Sequence, residues 1–102
     1  MNTSVAIRER DLAIVRAILD ATLPHEAVVR VFGSRARGNS RRASDLDLAI
    51  DAYRPLTAKE QGALADAFEE SDLPYFVDVI DVHTASAGFL ALIERDWTPL
   101  PG

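Results

Sequence analysis

The sequence contains no cysteine. That excludes a disulfide scaffold and thiolate chemistry of any kind, and it fits a reducing compartment. No apolar run is long enough to span a bilayer, and Met1-Asn2-Thr3-Ser4 leads toward the charged Arg8, Glu9, Arg10 and Asp11 rather than into a signal-type apolar stretch. A cytoplasmic chain without membrane contact is therefore expected. Histidine is scarce: His25 and His83 both fall at expected element ends, where surface or capping roles are the ordinary assignment. Internal repeats and low-complexity tracts are missing. Basic residues are in the minority, with a net charge of −5. Direct nucleic-acid binding is disfavoured, because neutralising phosphates takes clustered basic residues.

What is present is enough for one domain, 1–102: the chain has 102 residues, 48% of them apolar. The distribution of charge says more than its sum. Of 11 basic residues, Arg35, Arg37, Arg41 and Arg42 crowd one short segment. Alone, that cluster is equally well a solvated loop. In an acidic chain it suits a compact polyphosphate better than a long duplex.

Residues 5–23 read as an amphipathic helix, with Leu12, Val15, Ile18, Leu19 and Leu23 at helical spacing and Pro24 as its stop. Ala27–Phe32 is a β-branched, mostly apolar strand ending at Gly33-Ser34. Ser34–Arg37 begins a short helix that Gly38 and Asn39 end. Ser44–Asp51 alternates, with Leu46, Leu48 and Ile50 on one face and Asp45, Asp47, Ala49 and Asp51 on the other. Thr57-Ala58-Lys59-Glu60 matches a capping box and opens a helix to about Glu70. Tyr75–Val82 is a third strand, and Ser86–Arg95 a last helix. Residues 97–102 form a tail whose two prolines make it a poor helix or central strand. Near it, Phe89, Leu92, Trp97 and Leu100 are expected to leave apolar surface exposed. The order predicts an α/β (α+β) layer of three or more strands flanked by helices; periodicity leaves open whether the sheet is parallel or mixed.

Residues able to carry chemistry concentrate between Gly33 and Asp47. Gly33 lets backbone approach a phosphate closely, and Ser34 can donate to it. Ser34 has no histidine or lysine placed by the sequence to activate it as a nucleophile. Asp45 and Asp47, two apart on the expected strand, leave the same face roughly 6.6 Å apart and can hold magnesium against that phosphate. An Asp-x-Asp pair alone, or a Gly-Ser turn alone, carries little information. Joined, with arginines between and a strand on each side, they are specific. A third carboxylate is needed if two metals are held and an acceptor hydroxyl is activated. Asp78 and Asp81 on the third strand point to opposite faces, so only one can join. Asp78 is favoured, because an unpaired carboxylate at mid-strand is expensive to bury. Asp51 reads as a strand-end solvation residue.

Gly33-Ser34-x-Ala36-Arg37-Gly38 followed by Ser44-Asp45-x-Asp47-Leu48, with a later strand aspartate, resembles the nucleotidyltransferase superfamily that includes DNA polymerase beta. The likeness is greatest to its minimal nucleotidyltransferase (MNT) branch. The motif covers about 15 residues, and the order of elements extends the resemblance along nearly the whole chain. The resemblance implies a mixed sheet flanked by helices. It implies a triphosphate on Gly33 and Ser34, with Arg35 or Arg37 against it. Two Mg²⁺ ions would sit on Asp45, Asp47 and Asp78, and Asp78 would help to deprotonate an acceptor. The chemistry is attack of a hydroxyl on the α-phosphate of ATP, releasing pyrophosphate. Larger relatives carry a helical acceptor domain for which 102 residues leave no room. The implied partner is a HEPN-domain toxin whose tyrosine takes AMP, with this chain as antitoxin in a homo- or hetero-oligomer. Two alternatives stand beside that one: an antitoxin that neutralises by contact, with nucleotide as an accessory, and a small-molecule nucleotidyltransferase whose pocket a homodimer could build. Base preference has no signature in the residues.

Overall fold

The computed structural model describes residues 5–38 and 40–101. Helix α1 (Glu9–Thr22), strand β1 (Val28–Phe32), helix α2 (Ser34–Arg37), strand β2 (Leu46–Asp51), helix α3 (Ala58–Glu69), strand β3 (Val77–Asp81), helix α4 (Ala87–Ile93) and strand β4 (Thr98–Pro99) follow in order. The strands make one mixed sheet, β3-β2-β1-β4. β1 runs antiparallel to both β2 and β4, and β2 runs parallel to β3.

The sheet separates two apolar layers. Leu46, Leu48, Ile50 and Val31 pack with Val15 and Leu19 of α1 and Leu64 and Phe68 of α3. On the opposite face Phe32 and Ala49 pack with Ile93 of α4, with Ile80, Leu90 and Trp97 around them. Alternation along the strands makes both faces from one sequence. Local signals close the helices. The Thr57 hydroxyl accepts from Glu60 N–H while the Glu60 carboxylate accepts from Thr57 N–H, the expected capping box. Ser86 caps α4 by accepting from Phe89 N–H at 3.1 Å. Gly38, at φ 80°, ends α2 in the left-handed region.

Three expectations are corrected. The first helix starts at Glu9, not at residue 5. Residues 5–8 run as an extended strap because tertiary bonds claim them: Ala6 N–H donates to Arg35 O, and Ala6 O accepts from Arg35 Nη1. The tail joins the sheet. Thr98–Pro99 adds to the sheet edge, and Leu100, expected to be exposed, is buried, its N–H donating to Val29 O. Proline is tolerated there because an edge strand leaves one side without partners. Finally, Asp45 lies before β2 rather than on it. The parts assigned to Asn39, to Met1–Ser4 and to Gly102 lie outside the described residues.

Candidate active site

Register builds the site. Phe32 pairs with Asp47, and Asp47 pairs with Asp78. These three form one cross-strand row, so their side chains leave the same face, that of α4. Gly33 follows Phe32 directly. Its backbone sits at φ 78°, ψ −157°, a region essentially reserved for glycine. A Cβ there would drive into Asp47 Oδ2 and lie 3.2 Å from its Cγ. The missing side chain is thus what admits the Asp47 carboxylate beside the turn. Gly33 O accepts from the N–H groups of Ala36 and Arg37, folding the chain straight into α2, where Ser34 is half-buried at the first position.

The charges interact. Burial, then the Asp78 carboxylate, then that of Asp45 push the Asp47 carboxyl above its ordinary 3.8, against weaker opposition from Arg37 and Arg35. A half-buried carboxylate beside two others is a place where a cation is favoured. The donors are hard oxygens suited to magnesium, and the glycine leaves room at the Asp47 carboxylate, so these residues fit a divalent ion. Among the described residues, however, no group of three or more acidic, histidine or cysteine side chains is close enough to hold a metal as it stands. Asp78 and Asp45 are exposed, the latter immediately ahead of β2, where its side chain can change rotamer.

The structure separates the two arginines that the sequence treats alike. Arg37 is half exposed and 3.8 Å from Asp96, a weak tie, and it lines a cavity of about 510 Å³ with Gly33, Phe32, Phe89 and Arg95. Arg35 points elsewhere. It is 5% exposed. Its guanidinium donates to Ala6 O, Arg42 O and Ser44 O at 2.6–3.1 Å and stacks on the Tyr75 ring, whose hydroxyl donates to buried Asp11 at 3.0 Å. The phosphate-contact expectation for Arg35 is therefore corrected. Its donors tie the strap and the 40–44 loop together. No sequence signal marks this network, because Asp11 and Tyr75 are far apart in the chain.

Asp78 and Asp81 face opposite ways, as alternation requires, but the burial argument that favoured Asp78 fails. Asp78 is exposed, and Asp81 is the buried one at 8%. Asp81 Oδ2 accepts from Leu56 N–H at 2.7 Å and Oδ1 from His83 N–H at 2.9 Å, so it anchors the loop before α3 on the far face of the sheet. Asp51 also has partners: its carboxylate accepts from Tyr53 N–H and sits 2.7 Å from His83 Nε2, and these bonds hold its carboxyl below the ordinary range.

The family described as "Polymerase beta, Nucleotidyltransferase" matches residues 16–98, a span that contains Gly33, Asp45, Asp47 and Asp78. The chain is a nucleotidyltransferase of the polymerase beta family. Among relatives of this nucleotidyltransferase, a probable protein adenylyltransferase MntA of Haemophilus influenzae is 43% identical over 89 residues, covering 87% of this chain and 77% of that protein. A solved minimal nucleotidyltransferase is 34% identical with a TM-score of 0.69, covering 90% of this chain and 94% of its own. A chain of a toxin–antitoxin crystal structure with AMP-PNP superposes with a TM-score of 0.73 at 26% identity, over 90% of this chain and 73% of that one. Among the described residues no helix is long and apolar enough to cross a membrane.

Proposed function

We propose that this nucleotidyltransferase moves AMP from ATP to a hydroxyl of a HEPN-domain toxin, a tyrosine by preference, and thereby acts as its antitoxin in the cytoplasm. The observation that carries this is the seating of the Asp47 carboxylate between Gly33 and Asp78. The similarity to a probable protein adenylyltransferase MntA and to a chain of a toxin–antitoxin structure with AMP-PNP supports adenylyl transfer within the family.

In this reading Asp45, Asp47 and Asp78 hold two Mg²⁺ ions, which when bound offset the negative charge of the reacting phosphates. The bare backbone of Gly33 admits the triphosphate, and the Ser34 hydroxyl donates to it. Arg37, with charge to spare at the cavity mouth, stabilises the negative charge that grows on the leaving pyrophosphate. The acceptor oxygen forms a bond to the α-phosphorus as the bond from that phosphorus to the bridging oxygen breaks. Pyrophosphate leaves, and the acceptor's proton passes to the exposed carboxylate of Asp78.

The test is label transfer. The protein is incubated with Mg²⁺, ATP labelled on the α- or the γ-phosphate, and a small helical protein encoded beside it. Label from α but not γ on the partner, lost in an Asp45→Asn/Asp47→Asn variant, is the expected result. A stable complex with no transfer would sink the enzymatic reading for that pair and favour neutralisation by contact. Transfer only to small hydroxylated molecules would favour the small-molecule alternative.

A further inference from the structure

β3 closes one side of the sheet: β2 pairs with it, and among the described residues no strand lies beyond. Leu46 N–H donates to Phe76 O and Val82 N–H to Ile50 O, so the backbone groups of alternate residues turn toward β2. In a parallel ladder those of Val77 and Val79 then turn outward. No hydrogen bond among the described residues uses the outward N–H or C=O of either valine. Natural edges are usually blunted by proline, lysine or a covering element. β3 has neither residue, and its one exposed charge is Asp78.

A groove of about 630 Å³ follows this edge. Leu64 and Phe68 of α3 wall one side, Ser86 and Phe89 the other, and Asp78 lines it. Its charged side chains are Asp78 and Asp81, with no arginine or lysine. The cavity beside Gly33 differs, with Arg37 and Arg95 against the single carboxylate of Asp96 in its wall. A polyphosphate belongs with the cations. The groove without them suits a non-acidic chain, and the two spaces meet at Phe89, on the face that carries Asp47 and Asp78.

We propose that the open edge of β3 binds the acceptor as an added strand: an extended, non-acidic segment of the protein substrate pairs with Val77 and Val79 and sets its hydroxyl against Asp78. This rests on the protein-hydroxyl acceptor of the preceding section. Main-chain bonds supply the attachment, and alternation supplies the specificity. The hydroxyl residue faces the Asp78 side, while its two neighbours turn toward Leu64 and Phe68 and are best apolar. A second copy of this chain is the poorer occupant, since it would bring more carboxylates to a groove that holds no cation.

The probe is a short synthetic peptide with valine alternating with threonine around one tyrosine and lysine at each end. Two isomers carry N-methyl groups on one or the other alternating set of peptide nitrogens. Amide hydrogen exchange of Val77 and Val79 is followed in the wild-type protein without nucleotide, and α-label transfer to the tyrosine is measured separately. The unmodified peptide is expected to slow both amides about tenfold. One isomer should lose that protection and the label, and the other should keep both. Unchanged exchange with all three peptides, alongside label transfer to a folded partner, would overturn the added strand and leave the adenylyltransferase standing. Protection that grows with protein concentration alone would identify a second copy as the occupant and overturn it too. Protection by the peptide with no label on any protein hydroxyl would remove the reading on which the acceptor role depends.

Discussion

Replacing Gly33 by alanine attacks the site at its tightest point, in two separable ways. An alanine at φ 78°, ψ −157° is strained wherever its methyl goes; such conformations cost roughly 1–3 kcal/mol outside glycine. The methyl would also enter the space of the Asp47 carboxylate. If Asp47 is shortened to alanine, the nearest atom left is its Cβ at 3.6 Å, ordinary contact, so in that background only the strain remains. Gly33→Ala should therefore cost about 2–4 kcal/mol in the native background, strain and contact together, and lower Tm by roughly 8–16 °C, taking about 4 °C per kcal/mol for a domain of this size. The loss in the Asp47→Ala background should be smaller by about 1 kcal/mol, the size of coupling expected for touching groups. Adenylyl transfer by Gly33→Ala should fall at least about tenfold beyond the folded fraction lost. Thermal and denaturant melts of the four proteins, with α-label transfer for the single variant, measure all three. A cycle additive within roughly 0.3 kcal/mol would refute the contact between turn and carboxylate. A fully active Gly33→Ala protein would refute the role given to the bare backbone.

Asp78→Asn should leave stability within about 0.5 kcal/mol and cut transfer roughly a hundredfold or more, whereas Asp81→Ala should cost about 1–3 kcal/mol by stranding Leu56 N–H and retain transfer once folded; melts and label transfer on both variants decide it. Arg35→Lys should destabilise by about 1–3 kcal/mol, because an ammonium cannot reach three carbonyls and stack on Tyr75; Arg37→Ala should melt like the native protein but lower kcat for adenylyl transfer by about tenfold or more, and the reverse pattern would exchange their roles. The Asp47 carboxyl is raised above its ordinary 3.8, so it binds its proton more tightly folded than unfolded, and stability falls as pH rises from 3.8 through the raised value. Asp47→Asn should remove that fall, so its denaturation midpoint should gain on the native protein as pH rises, and a constant difference across the series would count against the crowding of carboxylates. Mg²⁺ with a non-hydrolysable ATP analogue should raise the native Tm, by about 2.7 kcal/mol of stability at a hundred times Kd, and should not raise that of Asp45→Asn/Asp47→Asn.

Much of the fold is legible along the chain because its causes are local. Pro24, the Thr57–Glu60 box, Gly38 and the alternation of Leu46, Leu48 and Ile50 act within a few residues, and each marks the element it was expected to mark. The grouping of Gly33 with Asp45 and Asp47 is equally local, since the loop between them is short. What the chain cannot express is which partner a side chain meets across the sheet. Arg35 and Arg37 sit on one turn of helix, yet one is drawn into the network of Tyr75 and Asp11 and the other left at the cavity mouth. Asp78 and Asp81 differ only in parity until the parallel pairing of β2 with β3 sets one beside Asp47 and lays the other under Leu56. The sequence by itself determined most of the elements and their faces and singled out Gly33–Asp47 as the candidate site, because period, caps and turns are short-range. Tertiary structure alone decided the cross-strand row, the buried arginine and the open edge of β3, because strand order and register arise from the whole chain packing at once.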